Sequence, residues 1–189
     1  MKKDLQNFYS FLSEELKCEN NGVYVIKEKE GSTFRHIAMK KYGNFFVLKQ
    51  KDGFKAGLFK DAISSCDFIV FDDSEVFFVE LKSTSCDKKD DDNKTSNDIN
   101  PFDKALEQCE SSKILFHYLC DAYNMKKSKK LDFKNKEQFI CLCPQRANQQ
   151  KTSTNLTKNN PKLIKIDIAC DNNGYSELKL ELFKNVSKN

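Results

Sequence analysis

Histidine is scarce in this 189-residue sequence, with only His36 and His117 present. Chemistry built on a pair of neighbouring histidines therefore has no local support, and His117 reads as part of a helix surface or a packed network. No run of about 18 apolar residues occurs, so no membrane-spanning helix is expected. The opening segment MKKDLQNFYSFLSEELK carries Lys2 and Lys3, but Asp4, Gln6, Glu14 and Glu15 break the apolar core that an export signal needs. Internal repeats and domain linkers are also missing. The length suits one domain with a sizeable core, spanning 1–189. No helicase, methyltransferase or sensor domain is read in these residues, so control by such a unit is expected to come from elsewhere.

Closely spaced cysteine pairs are almost absent. The eight cysteines (18, 66, 86, 109, 120, 141, 143 and 170) lie mostly inside strand or helix patterns as small apolar residues. That usage fits a reducing, cytoplasmic setting. Cys141-x-Cys143 alone resembles a ligand pair, and without a second pair no zinc site is expected.

Charge is what the chain has in quantity. Charged residues make up 32% of the sequence and the net charge is +4, with lysines grouped near 2–3, 27–29, 40–41, 49–60, 126–130 and 158–165. Most read as solvated loop residues, yet such groups can neutralise phosphates, with binding that weakens in salt.

Periodicity supplies the elements. Leu5, Phe8, Phe11, Leu12 and Leu16 recur at helical spacing, predicting a first helix over 4–17 that Asn20-Asn21-Gly22 ends. Strands are expected at 23–27, 45–50, 66–71 and 76–82. A polar stretch at 84–100 cannot bury a core and reads as a loop. Asn100-Pro101 then opens a helix to about 124, with Asn100 as N-cap and Asp103 in the first turn. Further strands are expected at 139–143, 163–168 and 178–183, and the polar segment 145–161 reads as a second loop, substrate-facing or disordered.

The strongest chemical signal is CDFIVFDDSEVFFVELKS, residues 66–83. Two β-branched and aromatic runs flank Asp72-Asp73-Ser74-Glu75, which is turn chemistry, so a hairpin is expected. A loop of either two or four residues pairs Phe71 with Val76, Ile69 with Phe78 and Asp67 with Glu80. A three-residue loop would move Asp67 and Glu80 to opposite faces. In the even registers the acids sit about 4.5–5.5 Å apart at Cβ, where like charges repel unless a cation lies between them. Lys82 shares the face of Glu80 because strand side chains alternate. The competing reading makes Glu80 and Lys82 the wet face of an edge strand. The unbroken apolar run Val76-Phe77-Phe78-Val79 argues instead for a central strand covered on both sides.

An acid followed by Glu80-Leu81-Lys82 resembles the PD-(D/E)XK nuclease superfamily, with Cys66 where the name-giving pattern has proline. The resemblance implies a restriction endonuclease-like α/β fold, an α-β-β-β-α-β core with a central mixed sheet flanked by helices. The element order read from periodicity agrees with it. It further implies that Asp67 and Glu80 hold Mg²⁺, for which Mn²⁺ can substitute, that the Leu81 carbonyl adds a hard oxygen ligand, and that Lys82 orients the attacking water. Family members often draw another acid from the first helix, here Glu14 or Glu15. They also often place a glutamine on the helix after the motif, here Gln108, which otherwise reads as a buried amide with a core hydrogen bond. The expected activity is metal-dependent hydrolysis of phosphodiester bonds, with DNA the favoured nucleic-acid partner, in restriction, antiviral defence or repair, as an endonuclease and in a homodimer or with a partner protein. The alternative is a catalytically silent module of the same fold that binds nucleic acid or protein.

Overall fold

The computed structural model describes residues 2–27, 33–41, 43–50, 64–82, 100–145, 153–157 and 160–186. Within them the chain is a mixed α/β structure with two mixed sheets. The smaller sheet contains β1 (Glu19–Asn20), β2 (Val23–Lys27), β3 (His36–Lys40) and β10 (Tyr175–Leu178), in the order β1-β2-β3-β10. β10 returns from the far end of the sequence to run parallel to β3. The larger sheet contains β4 (Phe46–Lys49), β5 (Phe68–Phe71), β6 (Val76–Leu81), β7 (Glu137–Pro144), β8 (Ser153–Thr157) and β9 (Asn160–Ile168), ordered β4-β5-β6-β7-β9-β8.

β4, β5 and β6 form an antiparallel meander, after which β7 lies parallel to β6. A parallel neighbour needs a crossover, and α2 (Pro101–Lys127) supplies it. Its start is set as the sequence predicts: Asn100 accepts a hydrogen bond from the Phe102 N–H at 3.0 Å, and Pro101 occupies the first turn. β6 is buried at every position, which its apolar run requires of a central strand. α2 packs on one face of the sheet, where Phe116 meets Phe71 and Phe133 at 5.3 Å and Phe78 at 5.9 Å between ring centres. On this face α1 (Lys2–Phe11) contributes Phe8, which meets Phe71 and Phe116 edge-on. On the other face Phe183 of α3 (Leu180–Val186) stacks against Phe77.

Several elements differ from the sequence expectation. The first helix ends at Phe11, because the Ser13 side chain accepts from the Glu15 N–H and caps a separate 3-10 turn, Glu14–Leu16. The expected strand at 178–183 divides into β10 and α3, Leu178 completing the pairing with β3 before Phe183 turns into the core. The segment 145–161 is not wholly a loop, since β8 lies within it and pairs antiparallel with β9. β1 and β3 were not expected, and a second sheet accompanies the central one. The expected loop at 84–100 lies outside the described residues apart from Asn100.

Candidate active site

The hairpin β5–β6 sets the geometry. Its ladder pairs Phe71 with Val76 and Ile69 with Phe78, the register of an even-numbered loop. The Asp72 side chain builds that loop: Oδ1 accepts from the N–H groups of Ser74 and Glu75 and from the Ser74 hydroxyl. Continuing the ladder from Phe68–Val79 sets Asp67 opposite Glu80. The Asp67 carboxylate reaches across and accepts from the Leu81 N–H at 2.6 Å, while Lys82 Nζ donates to Glu80 Oε1 at 3.0 Å.

Burial governs the electrostatics here. Glu80 is only 5% exposed. Burial first, and then the charge of Glu80, push the Asp67 carboxyl well above the ordinary carboxylate range, against the opposing pull of the Leu81 N–H and Lys82. Burial likewise raises Glu80, although Lys82, Asp67 and Gln108 all act on it in the other direction. Glu80 Oε2 is buried without a hydrogen-bond partner. Two desolvated acids in one site, one of them with an orphaned oxygen, form an arrangement that a positive charge would relieve.

α2 holds the approach to Asp67. Gln108 Nε2 donates to the Ser65 carbonyl at 3.2 Å, and one turn later the buried Ser112 hydroxyl accepts from the Cys66 N–H at 2.8 Å and donates to Gln50 Oε1 at 2.7 Å. The Gln50 N–H closes the loop by donating to the Asp67 carbonyl at 3.0 Å. The backbone on either side of the acid is therefore pinned, and Gln108 Oε1 is left buried without a partner. Of the residues expected from sequence, Asp67, Glu80, Lys82 and Gln108 come together, with the backbone of Leu81 between them. Glu14 and Glu15 do not join them in any described contact: both are exposed on the 3-10 turn, and Glu14 pairs with Lys17 at 2.7 Å.

The register extends the site across the sheet. Glu80 pairs with Cys141, which pairs with Lys165, and the next row on this face holds Cys143 and Asp167. Lys165 and Asp167, 7% and 4% exposed, form an ion pair at 3.2 Å. Lys165 is thus a strand residue and not a loop lysine. Its signal was present in the sequence, where Lys165 and Asp167 alternate with Ile164, Ile166 and Ile168. Cys18, Cys66, Cys109, Cys120, Cys141 and Cys170 are free, whereas Cys143 is disulfide-bonded.

No family model, curated protein or solved structure matches this chain.

The donor set suits a hard divalent cation. Paired carboxylates, completed by water, are the kind of oxygen ligands that Mg²⁺ and Mn²⁺ prefer. Among the described residues no three His, Cys, Asp or Glu side chains cluster as a metal site. The carboxylates that the hairpin register sets opposite each other are two, Asp67 and Glu80.

His117 belongs to a different network. It meets Glu137 at 2.8 Å, with Lys113 3.3 Å from the same carboxylate. Burial acts to raise Glu137, but His117 and Lys113 outweigh it and hold the carboxyl below its usual range.

Proposed function

We propose that the chain is a metal-dependent nuclease with a restriction endonuclease-like core that hydrolyses phosphodiester bonds, DNA being the favoured substrate. The observation that carries this reading is the juxtaposition of Asp67 and Glu80 across one hairpin, with Lys82 bonded to Glu80 and an unpaired buried oxygen left over. Structural ion pairs normally satisfy both charges; here Lys82 answers Glu80 alone, and burial holds the facing Asp67 carboxyl in a raised range that a bound cation would lower.

Asp67 and Glu80 would hold Mg²⁺, and the resemblance to PD-(D/E)XK nucleases adds the Leu81 carbonyl as a further oxygen ligand. When bound, the ion polarises the phosphate and lowers the pKa of a water. The protein's own groups have separate tasks. Lys82, half-buried and fixed by Glu80, supports negative charge at the phosphate from a prepaid position. Gln108 and Ser112 keep the backbone before Asp67 rigid, so that the carboxylate does not drift from Glu80. Ala105 and Cys109 of α2 are fully buried, Ala105 in the cluster that holds Cys141, the β7 neighbour of Glu80.

The test is incubation of the purified protein with supercoiled plasmid, linear duplex, single strands and RNA, in Mg²⁺ or in chelator. Cleavage in Mg²⁺ that chelator and Asp67→Ala both abolish is expected. Unchanged cleavage by Asp67→Ala and Glu80→Ala would end the proposal, and the pattern of nicks, ladders or shortened ends identifies the substrate.

A further inference from the structure

A cavity of about 510 Å³ opens where β4 approaches β1 and β2, and Asp67 forms part of its wall. Cys18, Val25, Lys27, Lys49 and Gln50 line it as well. The cavity therefore leads from the gap beside the smaller sheet to one member of the acid pair.

Its charges are unequally satisfied. Glu19 also lines it, but Lys41 neutralises Glu19 at 2.8 Å. Lys27 and Lys49 form no ion pair among the described residues. Lys27 is exposed and Lys49 half-buried, so both ammonium groups can reach a ligand in the opening. Two unmatched cations in a concave site are complementary to a chain of phosphates. Gln50 supplies an amide nearby, and Val25 and Cys18 supply an apolar wall.

Size decides what form of chain fits. A volume in the small-ligand range accepts about one or two nucleotide units. A duplex, with two paired nucleotides at every step, needs about twice that room per step and does not fit. We propose that this cavity is the entry subsite for a single nucleic-acid strand, with Lys27 and Lys49 holding the phosphates next to the one brought to Asp67 and Glu80. The assignment rests on the nuclease reading for the direction of the strand, but the binding it describes is separately measurable. The substrate class is then a free strand, a flap or a frayed end, and intact blunt duplex is excluded from the cavity.

The experiment measures binding of fluorescent oligothymidylate to the full chain in chelator, where cleavage does not interfere, across a salt series. The Lys27→Gln/Lys49→Gln double variant is expected to bind roughly tenfold more weakly at low salt, at about threefold per lost phosphate contact, with a log–log salt slope shallower by about 1.4. Lys126→Gln, at the exposed end of α2, is the charge control and is expected to leave both unchanged. Blunt duplex is expected to compete more weakly than the unlabelled strand. Unaltered affinity and slope in the double variant, equal loss in Lys126→Gln, or duplex competing as well as the single strand would each overturn the assignment. Wild-type cleavage in Mg²⁺ is scored separately. If wild type cleaves while the lysine variants bind normally, the subsite is refuted and the nuclease reading stands; lysine-dependent binding without any cleavage supports the subsite and removes the nuclease reading.

Discussion

Lys82 carries the clearest division of labour among single residues. Its ammonium is bonded to Glu80 and near the acid pair, yet it cannot be a cation ligand. Lys82→Met should therefore lower cleavage by about 10²- to 10³-fold, as for loss of one prepositioned charge-stabilising donor, while calorimetry still detects the metal. Equal loss of both would make Lys82 a structural partner of Glu80 only. At the other end of the hairpin, Asp72 is a residue of stability. Burial acts to raise its carboxyl, but Lys184, the Ser74 hydroxyl and the loop N–H groups outweigh burial and hold it below the ordinary value of 3.8. A depressed carboxyl stabilises the fold above its unfolded pKa and ceases to do so as the pH falls through the folded value. Urea denaturation from pH 7 down to about pH 2 should show a steeper acid loss for wild type than for Asp72→Asn, which starts less stable; parallel curves would contradict this role.

The elements differ in how far local sequence specifies them. The hairpin was legible because its loop chemistry and its two strands are adjacent, so simple addition of residue numbers pairs Asp67 with Glu80. α2 was legible from Asn100-Pro101, although it runs on to Lys127. The tether between the two was not. Ser112 joins Cys66 and Gln50 from 46 and 62 residues away, and nothing near a serine on a helix announces such partners. β10 was hidden for a related reason, its partner β3 being supplied by the distant first part of the chain. The turn before β10 depends on Gly174, at φ +73°, where an added Cβ would lie 2.5 Å from the Thr33 carbonyl oxygen. For the tether, Ser112→Ala leaves the Cys66 N–H and the Gln50 amide oxygen unpaired and should cost about 1–3 kcal/mol in chemical denaturation. It should also lower the cleavage rate at saturating substrate through Asp67, with little change in strand affinity. A loss confined to affinity would show that the tether does not position the acid.

At the scale of the molecule, the larger sheet concentrates buried charge on one face, in rows that hold Asp67, Glu80 and Lys165, then Asp167. Among the described residues no helix is long and apolar enough to cross a membrane. The fold therefore carries an electrostatic cost at its centre that a bound cation would lower. Mg²⁺ or Mn²⁺ at about 100 times its dissociation constant should stabilise the wild type by about 2.7 kcal/mol, and Asp67→Ala should abolish that gain; the same gain in the variant would locate the ion elsewhere. The most direct measurement is the rate of single-turnover cleavage as a function of Mg²⁺ concentration, for wild type and Glu80→Gln side by side. The account predicts a saturable rise for wild type, none in chelator, and loss of both rate and Mg²⁺ response in Glu80→Gln. A wild-type rate indifferent to Mg²⁺, or a Glu80→Gln curve superimposable on wild type, would contradict it.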